Sequence, residues 1–125
     1  MSRLFVFLWM IFFHIVDDYV LQAPCLCSLK QKSWWEENAP DNKYKDDYLT
    51  ALVMHGFSWS FMIMLPIAYV QQFDIDYRFF ILFVLNIIIH SFVDNVKANW
   101  KLINLYQDQF IHMVQIFVTS ILLYI

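Results

Sequence analysis

The sequence predicts an all-α integral membrane protein, a four-helix bundle running up-down-up-down, and three observations predict it. Hydrophobic residues make up 61% of the 125-residue chain, aromatics 20% and charged residues 15%, against about 45–50% apolar and about 25% charged in soluble domains. The apolar residues are gathered into four long runs. All four histidines and four of the aspartates fall inside those runs. The length is that of one domain, 1–125. A small soluble globule is disfavoured, because a domain of this size leaves too much surface in water to hide so many apolar side chains. One Gly, three Pro and two Cys exclude a disordered, collagen-like or disulfide-dense chain. A net charge of -3 offers no basic surface, so nucleic acid is not an expected partner.

The elements follow in order. The first span covers about 4–22, the second 48–70, the third 79–97 and the fourth 102–125. Each is close to the ~20 residues that cross a ~30 Å hydrocarbon core. The first run begins like a signal peptide, with Arg3 before it, but no small-residue cleavage site follows its His14, Asp17 and Asp18. It is therefore read as a retained span. Residues 23–47 form a polar loop with Pro24, Pro40, Trp34 and Trp35, the tryptophans expected at headgroup level. The pattern over 29–37 allows a short amphipathic helix lying on the membrane. Residues 71–78 make a turn with Asp74 and Asp76, and the last connection lies around 99–101. Such short loops make neighbouring helices antiparallel.

Basic residues set the orientation. Lys30, Lys32, Lys43 and Lys45 follow span one, and Lys97 and Lys101 follow span three; the other side has only Arg3 and Arg78. The positive-inside bias places loop 23–47 in the cytoplasm and both termini outside it. The chain is expected to cross a membrane several times, with membrane lipid as the surrounding partner.

Ionisable groups inside spans are costly, at least ~2.5–3.5 kcal/mol at a helix centre, and need partners or an ion. His14 and Asp18, His90 and Asp94, and Asp108 and His112 are each four residues apart, so each pair shares a helix face. In an alternating bundle these pairs and His55 lie at one depth, near the cytoplasmic face. Imidazole and carboxylate suit a divalent ion, Zn²⁺ first, with Mn²⁺ or iron compatible. The expected ligands are His14, Asp18, His55, His90, Asp94, Asp108 and His112. They outnumber the four positions of one tetrahedral zinc, so one or two ions remain open, with two the sharper hypothesis. Some carboxylates would instead orient imidazoles around a single ion, and a metal-free His–Asp glue is the plain alternative. Asp17 and Asp18 are the candidate general bases, and Tyr19, Gln22 and Gln109 the candidate supporting residues. Gly56 after His55 serves close packing or the site. Cys25 and Cys27 form a lone C-x-C, read as reduced or incidental.

The run His14-Ile-Val-Asp-Asp18-Tyr19-Val-Leu-Gln22 resembles the H-x-x-x-D-Y-x-x-Q opening of a family of small integral membrane proteins of bacteria and their phages. His55, His90-Ser-Phe-Val-Asp94 with Lys97, and Asp108-Gln109-Phe-Ile-His112 are similar to its later blocks. Asn95, the extra Asp17 and the Trp34–Trp35 loop depart from the pattern. The family carries no established activity, and the resemblance implies a bacterial inner membrane as the location. A looser similarity is to membrane-bound metal-dependent hydrolases, which also place His and Asp pairs on spans.

Three functions are compatible. The first is a metal-dependent hydrolase acting on a lipid or phosphoester. The second is a structural or interaction protein of phage origin, docking on a host membrane protein to modulate envelope or defence, for which a homodimer is an allowed arrangement. The third is an ion transporter, disfavoured because the outer halves of the spans lack ionisable stepping stones.

Overall fold

The computed structural model describes residues 1–124, and the last residue of the expected fourth span, Ile125, lies outside the described residues. The described chain is helical without strands. Its helices are α1 (Arg3–Val16), α2 (Pro24–Leu29), α3 (Lys32–Asn38), α4 (Asp47–Val70), α5 (Tyr77–Asn95) and α6 (Leu105–Tyr124). Wider π-helical turns extend α1 over Asp17–Leu21 and α5 over Val96–Trp100. Among the described residues three stretches are long and apolar enough to cross a membrane: Arg3–Leu21, Asn42–Val70 and Tyr77–Trp100. α6 is not one of them, although it has 20 residues. Gln107, Asp108, Gln109, His112 and Gln115 lower its hydropathy.

Local chemistry sets the boundaries. The Ser2 hydroxyl caps α1 by accepting from Phe5 N, and Pro24 opens α2 where a missing N–H costs nothing. Asp76 caps α5, accepting from Arg78 N and Phe79 N. Its carboxyl is held below the usual carboxylate range by the hydrogen bond from the Arg78 side chain. α6 starts at Leu105, three residues later than the run's expected start at 102. Asn104 and Gln107 bond reciprocally there, side chain to backbone N, at 2.9 and 3.0 Å, in the manner of a capping box. Left-handed Gln72 and Phe73 turn the chain between α4 and α5, and left-handed Lys101 ends the turn after α5.

α4 packs on α1 and α5, and α6 on α5 and α1. Directions alternate: Tyr124 reaches back to Met1 O and Gln71 to Leu123 O at one end, while Lys32 meets Asn99 at the other. The first end has an apolar core of Val6, Met10, Ile63, Met64, Ile67, Phe79 and Ile116. Polarity is inverted overall. Among the described residues 13 polar or charged side chains are buried against 12 hydrophobic ones. Phe5, Phe12, Phe57, Phe61, Phe80 and Ile88 face outward on α1, α4 and α5.

The long loop departs from the sequence expectation. Instead of one amphipathic helix over 29–37, two short helices meet at a break at Lys30 and Gln31. The break is where Lys30 turns inward, 6% exposed, to the core of the molecule. Trp35 donates to Leu29 O at 2.9 Å and stacks on Tyr44, so its ring serves the loop's own packing.

Candidate metal centre

Five segments deliver one cluster. The end of α1 and its wider turn bring His14, Asp17 and Asp18; α4 brings His55, Ser58 and Trp59; α5 brings His90 and Asp94; α6 brings Asp108, Gln109 and His112; the α2–α3 break brings Lys30. The pairs expected from helical spacing do meet, His14–Asp18 at 3.5 Å, His90–Asp94 at 3.6 Å and His112–Asp108 at 3.3 Å. Across helices, His55 Nε2 stands 3.2 Å from Asp18 Oδ1 and 3.5 Å from Asp94 Oδ2. His112 Nε2 stands 3.4 Å from Asp94 Oδ1. Asp94 is thus the hub, facing three histidines.

These separations carry chemical information. Good N–H···O bonds cluster near 2.9–3.0 Å, and most of these are longer. Two ligands on a tetrahedral ion with bonds of ~2.0–2.1 Å stand about 3.4 Å apart. The spacing is compatible with ligands around an ion. The bonding inventory agrees: Asp18 Oδ1, both nitrogens of His90, Asp108 Oδ1 and His112 Nε2 are buried without a hydrogen-bond partner among the described residues. Unpartnered buried polar atoms are rare and call for an explanation. Two groups, Asp18–His55–His90 and His90–Asp94–His112, each place their ligating atoms within 4.8 Å of one another. Both can hold a metal ion, and they share His90.

Neighbouring residues fix the imidazoles. Asp17 Oδ2 lies 3.6 Å from His55 Nδ1, beyond hydrogen-bond range, and its other oxygen accepts from the Ser58 hydroxyl. Asp17 and Asp18, adjacent in sequence, thus flank opposite sides of one ring. Gln115 Oε1 is 3.1 Å from His112 Nδ1, a contact that leaves His112 Nε2 facing the cluster. Trp59 stacks on His90, ring centroids 4.2 Å apart, and its indole N–H donates to His14 Nδ1 at 2.7 Å. An indole only donates, so His14 carries its proton on Nε2, which meets Gln109 Oε1 at 2.9 Å. His14 thus spends both nitrogens on hydrogen bonds and stands outside both ligand groups. Gln109 passes the polarity on, donating toward Asp108 Oδ2 at 3.1 Å and Asp18 Oδ2 at 3.4 Å.

Two lysines counted above toward orientation belong to this cluster instead. Lys30 Nζ is 2.9 Å from Asp94 Oδ2 and 3.0 Å from Gln22 Oε1, and Lys97 Nζ is 2.9 Å from Asp108 Oδ2. Four carboxylates against two ammonium groups leave a formal charge of -2 with the histidines neutral. That residue of charge matches one divalent cation. A pocket of about 140 Å³ opens over the cluster, lined by Asp18, Tyr19, Gln22, His55, Asp94 and Gln109 together with both lysines and Leu105. Tyr19 stands exposed at its rim. Gln22 also donates to Cys27 Sγ at 2.6 Å, and both cysteines are free and exposed.

Sequence reasoning missed Trp59, Ser58, Gln115 and Lys30 as members of the site. Gln115 had a signal, three residues beyond His112 on the same helical face. Lys30 had none, since its partner Asp94 is 64 residues away. No family model, curated protein or solved structure matches the chain.

Proposed function

We propose that this chain is a multi-pass integral membrane metalloprotein of four spanning helices, with α6 as the fourth, acting as a metal-dependent hydrolase on a lipid or phosphoester. The observation that carries the reading is the convergence of imidazole nitrogens and carboxylate oxygens at 3.2–3.6 Å in a buried core, several of them without a hydrogen-bond partner among the described residues. His55, His90, Asp94 and His112 are the central ligands, with Asp18 and Asp108 at the margin. Zn²⁺ fits this nitrogen and oxygen set best, and Mn²⁺ and Fe²⁺ are compatible. The shared His90 and the residual charge of -2 favour one ion over two.

Membrane embedding is supported by the inverted polarity and by α6 itself. Its Asp108, His112, Gln115 and Thr119 are buried, while Phe110, Val114, Phe117, Val118 and Leu122 face outward. Such a helix can enter lipid only with its polar stripe turned to neighbours. The basic residues outside the cluster, Lys32, Lys43, Lys45 and Lys101 against Arg3 and Arg78, still favour the site's end as cytoplasmic.

When bound, the ion would supply Lewis acidity and a water acidified to a pKa near ~7. Asp18 is the base, its side chain 11% exposed and lining the pocket. Lys30, Lys97 and Tyr19 line the same opening and suit an anionic oxygen such as a phosphoester's. The second reading is a structural centre in a protein that acts on a host membrane partner. One observation favours it: Asp94 and Asp108 already hold lysines, which leaves little open coordination.

Elemental analysis of detergent-purified protein tests the metal centre, with one ion per chain expected and its loss expected in a His90→Ala, His112→Ala double variant. Folded protein that takes up no metal after supplementation overturns the metal reading. Metal-loaded protein that turns over no lipid or phosphoester substrate would leave the structural reading.

A further inference from the structure

A second polar pocket, of about 330 Å³, shares no lining residue with the one over the cluster. Three segments build it. α3 brings Lys32, Ser33 and Glu36, the first turn of α4 brings Tyr48, and the wide turn after α5 brings Trp100, with Lys101 just past it. Asn99 ties the walls together, accepting from Lys32 N at 2.6 Å and donating to Lys30 O at 2.9 Å.

The charges in this pocket do not satisfy one another. Lys32 and Glu36 are four residues apart on α3, the spacing at which opposite charges on a helix meet. Yet the ion pairs of lysine and arginine among the described residues are Lys30–Asp94, Arg78–Asp76 and Lys97–Asp108. Lys32, Lys101 and Glu36 therefore line one pocket without pairing there. Its depth comes from Trp100, which ends the apolar stretch Tyr77–Trp100. That ring is exposed and packs edge-on against the outward Phe92, centroids 5.6 Å apart. Leu102, Leu105 and Tyr106 beyond it are exposed too. A tryptophan at the end of a span sits at headgroup level, and so does a pocket lined by it.

We propose that this pocket binds one phospholipid whose headgroup carries both a phosphate and a primary ammonium, the phosphate on Lys32 and Lys101 and the ammonium on Glu36. The charge pattern sets the class. Two ammonium groups suit a phosphate, and the Ser33 and Tyr48 hydroxyls line the same space as further donors. A purely anionic headgroup would lie against Glu36 with nothing to offer it. A quaternary ammonium has no N–H for that carboxylate. Trp100 and Phe92 supply apolar surface for the chains. The site rests on the membrane-spanning part of the function proposed above and is independent of the metal.

The test is native mass spectrometry of the full chain, released from micelles holding equal amounts of phosphatidylethanolamine, phosphatidylcholine and phosphatidylglycerol. The parent is expected to keep one phosphatidylethanolamine per chain, several-fold over the other two. Asparagine is at ease in left-handed backbone such as that of Lys101, φ 55°. Lys32→Gln with Lys101→Asn is expected to lower this retention about tenfold, the worth of one hydrogen bond to a charged group. Glu36→Gln is expected to remove the preference among the three lipids while binding persists. Lys43→Gln with Lys45→Gln removes the same charge outside the pocket and is expected to change nothing. All these side chains are exposed, so circular dichroism is expected to match the parent throughout. Equal retention of the three lipids by the parent overturns the site, as does an equal loss in K43Q/K45Q, the mark of general surface charge. A preference that survives E36Q overturns the ammonium's place on Glu36. Carbonate extraction of vesicles keeps the two readings apart. A chain stripped into solution overturns the spanning reading, whereas one that stays embedded without headgroup preference overturns this site alone.

Discussion

Gly56 occupies a place where α4 and α5 touch with no room for a side chain. A Cβ there would run into Ser91 Oγ and stand 3.0 Å from the Ile87 carbonyl oxygen. The Ser91 hydroxyl is itself committed, donating to Leu52 O at 3.1 Å. Gly56→Ala is therefore expected to lower stability by about 1–3 kcal/mol, the usual cost of overpacking. The double variant with Ser91→Ala should recover part of the loss, since Ile87 O remains in the way. Thermal unfolding in detergent measures both, and a neutral G56A would contradict the close approach. The sequence left Gly56 open between packing and the site, and its contacts assign it to packing. The i,i+4 His–Asp pairs were legible because helical spacing alone puts them on one face. His14's commitment to Trp59 and Gln109 was not, because the indole that dictates its tautomer arrives from another helix.

At the scale of elements, both wider turns lie beside the cluster, Asp17–Leu21 closing the first helix and Val96–Trp100 the fifth. Such turns are common at functional positions, and here the first brings Asp17 and Asp18 to either side of His55. The loop helices are strapped across the same end through Asn99. Its amide donates to Lys30 O and Asn95 Oδ1, and its oxygen accepts from Lys32 N. Asn99→Ala is expected to loosen the strap and speed tryptic cleavage at Lys32 several-fold with the helices intact by circular dichroism. An unchanged cleavage rate would show that the Lys30–Asp94 pair alone holds the loop. The long apolar helices were legible from composition because each needs only its own residues. The break at Lys30 was not, since it answers a carboxylate on α5. Of the polar residues that lower the hydropathy of α6, Asp108, His112 and Gln115 are the ones its fold conceals.

For the molecule as a whole, the free, exposed Cys25 and Cys27 are natural reporters of sidedness. With the loop in the cytoplasm, a membrane-impermeant maleimide is expected to label them in inverted vesicles and spare them in intact cells; the reverse pattern would invert the topology. A bound ion should also hold the fold together, contributing about 2.7 kcal/mol at a free concentration 100-fold above Kd. Chelation is accordingly expected to lower the melting temperature, and no shift in a metal-loaded sample would separate binding from stability. The inward stripe of Asp108, His112, Gln115 and Thr119 has a consequence for how such a chain is assembled. A helix carrying that stripe is a poor passenger on its own for the insertion machinery. On the membrane reading α6 must wait at the interface until α5 presents Asp94 and Asn86, and the two enter as a hairpin. Biogenesis of the last span would then be a templated step, with the same side chains serving first as an admission signal and afterwards as the centre's inner wall.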